Sequence, residues 1–178
     1  LHGHCLTLLI SLTGSDFSLK IINTRLPTPP ANKVNVQEEF IKQLHNAVAP
    51  FPSKFSILGG DLNFVENAHD TSGVYKAKKR PNWENFKADL SLADCSSDLH
   101  TFFHRPGASG SNPSLNAWSA RLDRFYISHT EADHAVVKPI VISDVHSIYS
   151  AKNRGFNTHV PTSLHFITRF SSKKGIRR

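Results

Sequence analysis

Methionine is missing from all 178 residues, and cysteine occurs only twice, at Cys5 and Cys95. Neither cysteine belongs to a Cys-x-x-Cys pair, which argues against a zinc ribbon or a disulfide-built scaffold; reduced thiols are expected. His2, His4 and Cys5 together could ligate a soft metal, but chance clustering near a chain end is the better explanation. Long apolar runs are also absent. No stretch approaches the roughly 20 apolar residues of a membrane span, so no membrane partner is expected. There is no internal repeat, and no secretory leader is visible.

Acidic residues are scarce relative to basic ones, 14 against 21, giving a formal charge of +7. That balance favours polyanionic partners. Lys76, Lys78, Lys79 and Arg80 crowd one segment between Tyr75 and Trp83. A basic loop with flanking aromatics can track a phosphate backbone and stack on bases; the plainer alternative is a solvated polar loop, with Trp83 in the core of the next helix. Lys173, Lys174, Arg177 and Arg178 close the chain, and 171–178 reads as a basic tail or linker after one domain over 1–170. At 39% hydrophobic and 20% charged residues, the composition is that of a globular chain.

Hydrophobic patterning predicts strands over 6–12, 18–25 and 55–60, the first two joined as a hairpin through Thr13-Gly14-Ser15-Asp16. A Pro-rich loop over 27–32 leads to a helix over 35–48, with Phe40, Leu44, Ala47 and Val48 on its apolar face and Ile41 at the edge. A shorter helix over 83–91 carries Trp83, Phe86 and Leu90 at i, i+3 and i+7. Strands are further expected at 101–104, 123–128, 136–142 and 160–168, with a Gly/Ser/Asn/Pro loop over 106–116. Strands mixed with a few helices give an α/β chain.

The densest chemistry lies in Ser56-Ile57-Leu58-Gly59-Gly60-Asp61-Leu62-Asn63-Phe64. A buried strand ends at two glycines, which let the backbone turn. If the chain stays extended, Asp61 and Asn63 leave on one side about 7 Å apart. A carboxylate there can accept a proton from water, and a carboxamide can donate to a developing oxyanion. The alternative is an ordinary Asp-x-Asn turn.

Gly-Asp-x-Asn at a strand end resembles the endonuclease/exonuclease/phosphatase superfamily, and two downstream segments follow in that family's order. Trp118-Ser119-Ala120-Arg121-Leu122-Asp123 resembles the stretch whose Asp orients the catalytic histidine. Asn157-Thr158-His159-Val160-Pro161 resembles the closing Ser-Asp-His-x-Pro, with His159 at the histidine and Thr158 where a metal-binding Asp stands. Ser143-Asp144-Val145-His146 is a decoy, with one residue too many between Asp and His. Leu19 to Pro27 resembles the strand that reads Ile-x-Asn-x-Tyr-x-Pro, with Asn23 retained and Arg25 in place of the tyrosine.

The resemblance implies an α/β two-sheet sandwich flanked by helices, the DNase-like four-layer arrangement, here without its opening strands. It implies metal-assisted phosphodiester hydrolysis, with Asp61 activating water, Asn63 and His159 stabilising the transition state, and Asp123 orienting His159. Asn23, Arg25 and Arg121 would bind the substrate phosphate, and Lys76, Lys78, Lys79 and Arg80 the nucleic acid. Magnesium or manganese is the family's cofactor. The family's metal-binding Glu is not found, and the neutral hydroxyl of Thr158 is a poor ligand for a hard cation. Impaired turnover is therefore expected, and the lack of an initiator residue reads as a fragment. The expected partner is nucleic acid, DNA foremost, in an intracellular setting that includes the nucleus. The alternatives are a non-catalytic nucleic-acid-binding remnant and a lipid or inositol phosphatase.

Overall fold

The computed structural model describes residues 4–11, 13–14, 17–28, 34–76, 78–95, 99–104, 118–128, 137–143, 158–159 and 162–168. Its centre is a five-stranded sheet in the order β1-β2-β3-β7-β4. The strands are β1 (Cys5–Ser11), β2 (Ser18–Arg25), β3 (Phe55–Asp61), β4 (Leu92–Asp94) and β7 (Asp123–Ser128). β2 and β3 run parallel, so a crossover must join them, and α1 (Val34–Val48) supplies it. The other pairs in this sheet are antiparallel. β5 (Phe102–His104) pairs with β6 (Trp118–Ala120) and β9 (Thr158–His159), while β8 (Val137–Ser143) pairs with β10 (Thr162–Thr168). With α2 (Pro81–Asp89), these elements make the α/β sandwich anticipated from the sequence.

The pleat sorts the central sheet into two unlike faces. On β2, Lys20, Ile22 and Thr24 are buried, and on β7 Arg124, Tyr126 and Ser128 are buried. This face meets the helices, where Ile22, Leu26, Ile41, Leu44, Val48, Leu58, Trp83, Phe86 and Tyr126 form one core. Trp83 is its hub, edge-on to Phe64 at 5.6 Å and to Tyr126 at 5.3 Å between ring centroids. Aromatic pairs in this geometry add about 0.5–1.5 kcal/mol beyond their burial.

Several details depart from the sequence expectation. The buried stripe of α1 is Gln37, Ile41, Leu44 and Val48, while Ala47 is exposed, so Ile41 is central rather than marginal. Gln37 fits in an apolar stripe because its amide donates to the carbonyls of Pro27 and Asn63. β4 and β6, three residues each, are too short to show a period in sequence. Both cysteines are free thiols, and burial pushes Cys95 up to about 12. No helix among the described residues is long and apolar enough to cross a membrane. The loop expected over 106–116, the decoy Asp144 and His146, Pro161 and the tail 171–178 lie outside the described residues.

Candidate active site

The second face of the sheet ends in a row of charge. Arg25 is registered against Asp61 across the parallel β2–β3 pair, and Asp61 against Asp123 across the antiparallel β3–β7 pair. Like charges directly opposite each other cost stability, so two facing carboxylates need compensation nearby. Arg25 provides some, with Nε 3.7 Å from Asp61 Oδ2. His159 provides more. Its Nδ1 donates to Asp123 Oδ2 at 2.9 Å, and its Nε2 lies 3.9 Å from Asp61 Oδ2.

These contacts set the protonation chemistry. A carboxylate on Nδ1 fixes the proton there and leaves Nε2 facing Asp61. The hydrogen bond to Asp123 raises the His159 pKa above 6.5; burial opposes it, and the charges of Asp123 and Asp61 add to it. Asp61 is also pushed up, by burial first and by Asp123. His159, the Asn63 N–H and Arg25 pull it back without cancelling that rise. A carboxylate raised this way is a better proton acceptor than an exposed one.

Asp61 and Asn63 are not in extended chain. Asn63 has φ +52°, in the left-handed region that asparagine tolerates, and its backbone N–H donates to Asp61 Oδ1 at 3.0 Å. The turn and the functional pairing therefore coexist. The Asn63 amide donates to Leu26 O at 2.7 Å and to Asp61 Oδ2 at 3.1 Å, so its donors orient Asp61 rather than facing a ligand.

Beneath the row lies a buried ionic network that sequence reading did not single out. Arg124, with no exposed side-chain surface, bonds Glu66 and Asp70. Arg121 bonds Asp70 and Asp94. Burial disfavours ionised Glu66, but hydrogen bonds from Lys87, Tyr126 and Trp83 outweigh it and hold the carboxyl below its usual range. Asp70 is held low the same way, burial being overcome chiefly by Arg124. The network fastens the chain after Asp61 to the start of β7, where the Thr101 hydroxyl accepts the N–H groups of Leu122 and Asp123. A sequence signal existed: Arg124 shares the strand phase of buried Tyr126.

A cleft of about 640 Å³ opens beside the row, lined by Arg25, Asn63, Phe102, His104, Trp118 and His159 among others. Phe102 and His159 are cross-strand partners, as are His104 and Trp118, so four rings share one face. Arg121, expected at the phosphate, is 6% exposed, bonds Asp70 and Asp94, and is not among the residues lining the cleft. Asn23 is exposed, one pleat behind Arg25, and does not line the cleft. Lys76, Lys78 and Lys79 are exposed on the segment that follows the cleft-lining Gly73 and Val74. Arg80 instead lays its guanidinium over the Phe64 ring at 4.2 Å, so it packs against the core rather than joining the lysines. Thr158 precedes His159 on β9, registered with Phe103.

No protein-family model matches the chain, and no curated protein matches its sequence. Solved structures do. The endonuclease domain of TRAS1, a telomere-specific non-LTR retrotransposon, superposes with TM-score 0.59 at 14% identity over 94% of this chain. An AP endonuclease from Archaeoglobus fulgidus gives 0.59 at 14% identity over 90% of the chain. The 3′ phosphatase NExo from Neisseria, bound to a product DNA hairpin, gives 0.60 at 19% over 90%. The chain shares its fold with these three structures. The chain spans 64% of the length of each of these three structures.

The resemblance read from the sequence implies a divalent cation, and the donors can be tested against it. One ligand atom each from Asp61, Asp123 and His159 lies within 4.8 Å of the others. Two carboxylates and an imidazole form an acceptable partial set for a divalent ion, suiting nitrogen-tolerant manganese better than magnesium, which prefers oxygen ligands.

Proposed function

We propose that the chain carries a phosphodiesterase site of endonuclease type that acts on nucleic acid with impaired turnover. The observation that carries this reading is the convergence of Asp61, Asp123 and His159, from three distant segments, beside Arg25 at one cleft. Arg25 and the Nε2 side of His159 bind the phosphate oxygens, Arg25 in the bidentate manner open to a guanidinium. Asp61, its basicity raised by burial, accepts the proton of the attacking water. Asp123 holds the imidazole in place and favours the imidazolium that faces the developing negative charge. With the imidazole committed to Asp123 and the phosphate, the carboxylates of Asp61 and Asp123 would hold a divalent ion, which would supply charge neutralisation at the phosphate when bound.

The three exposed lysines beyond the cleft and the net charge of +7 favour a polyanion over a small phosphoester. The ring-lined wall offers faces on which a base can stack. Impairment is read from Thr158, a neutral residue at the family's metal carboxylate, and from the committed donors of Asn63. The loss of one preorganised stabiliser costs on the order of 10²–10³ in rate. The Asn63 geometry also favours a second reading, a binding remnant without turnover.

Plasmid nicking with manganese, alongside duplex binding by anisotropy, tests the proposal. Slow nicking is expected, lost in His159→Ala and Asp61→Ala, with salt-sensitive binding kept in all three. Binding without nicking in any form selects the second reading. Absent binding, nicking indifferent to both substitutions, or a preference for phospholipid over DNA overturns the proposal.

A further inference from the structure

Arg25 stands where it opposes a cation. Its Nε lies 3.7 Å from Oδ2 of Asp61, with the Arg25 side chain 70% exposed and that of Asp61 13%. The register fixes this proximity, because Arg25 and Asp61 are direct neighbours across the β2–β3 pair. Asp61 is also the carboxylate that closes the cluster with Asp123 and His159. A guanidinium and a divalent ion carry the same sign and compete for one carboxylate.

The weakness of the pair matters as much as its presence. An ion pair with a mostly exposed partner is screened and readily exchanged. A phosphate offers the guanidinium two charge-assisted hydrogen bonds in a geometry its planar fork matches, a stronger contact than one carboxylate oxygen at 3.7 Å. Phosphate therefore draws Arg25 off Asp61 and frees that oxygen for a cation.

We propose that Arg25 is an internal competitor for the divalent-ion position, displaced from Asp61 by an arriving phosphate ester, so that phosphate and metal bind cooperatively. This rests on the phosphodiesterase reading above. By linkage, whatever factor phosphate adds to metal affinity, the metal adds to phosphate affinity.

The test measures manganese affinity of the full chain by electron paramagnetic resonance, with and without dimethyl phosphate as an inert diester. In the parent, dimethyl phosphate is expected to tighten manganese binding about fivefold, the lower end of ordinary coupling. Arg25→Gln should bind manganese more tightly without phosphate and lose most of the gain from it. Arg25→Lys should keep the competition but show less coupling, lacking the fork. Both substitutions lie at an exposed side chain, and thermal melting checks that the fold is kept. An equal phosphate gain in parent and Arg25→Gln, an unchanged manganese affinity in Arg25→Gln, or no manganese binding in any form overturns the proposal. Duplex binding, measured in parallel, separates the two readings: its persistence with uncoupled manganese removes this inference alone.

Discussion

His159 donates Nδ1–H to Asp123 Oδ2 at 2.9 Å, joining residues 36 positions apart. That bond is the first cause of the raised His159 pKa, with burial working against it. A histidine raised on folding adds stability that is complete below 6.5 and disappears as pH climbs through the folded value. Asp123→Asn keeps the shape and removes the charge. The imidazole midpoint, followed by NMR, should fall in this variant, and the pH dependence of stability near neutrality should flatten. An unmoved midpoint would mean that something other than Asp123 sets it.

The buried network gives a second prediction, at the acid end. Glu66 and Asp70 are both held below their ordinary values of 4.5 and 3.8. Their contribution is complete above those values and is lost as pH falls through them toward the depressed folded ones. Urea midpoints should drop steeply in that window. Arg124→Met removes one cation from each of two buried carboxylates, which keep Lys87 and Arg121, and should cost about 1–3 kcal/mol at pH 7. A cost under about 1 kcal/mol would show that water reaches these groups and replaces the arginine.

Much of the site was legible because strand ends announce themselves. The apolar run into Gly59-Gly60-Asp61 and the alternation over Asp123–Ser128 placed β3 and β7 closely. Register was not legible, since only the folded sheet shows that Arg25, Asp61 and Asp123 share one row. Of the two conformations open at Asn63, the turn holds, because the strand stops at Asp61. The ion pairs of Arg121 were not legible either, because its partners, Asp70 and Asp94, are remote in sequence. The core phase of α1 was shifted by Gln37, a polar residue that no apolar count selects.

The two glycines before Asp61 should respond differently to alanine. A Cβ on Gly60 would lie 1.8 Å from Thr24 O, at a φ of +141° that side chains avoid. Backbone cannot yield as a side chain can, so Gly60→Ala should cost at least about 3 kcal/mol or abolish soluble expression. On Gly59 the Cβ meets the Phe125 ring at 2.8 Å, a contact that ring rotation can relieve in part. Gly59→Ala should therefore fold, with a loss of about 1–3 kcal/mol by chemical denaturation. Equal losses at both positions would contradict the backbone argument.

The basic segment separates by burial into two kinds of residue, and salt can tell them apart. Lys76, Lys78 and Lys79 are exposed, whereas Arg80 rests on the Phe64 ring. An exposed lysine that neutralises a duplex phosphate releases counterions, so each one removed should lower the slope of log affinity against log salt by about 0.9. Replacing all three lysines with glutamine should reduce that slope by nearly 3 without moving the melting temperature. Arg80→Gln should do the reverse, lowering the melting temperature through lost cation–π packing while leaving the salt slope almost unchanged. A slope that falls by a full unit in Arg80→Gln, with the melting temperature unmoved, would place that guanidinium on the nucleic acid and off the core.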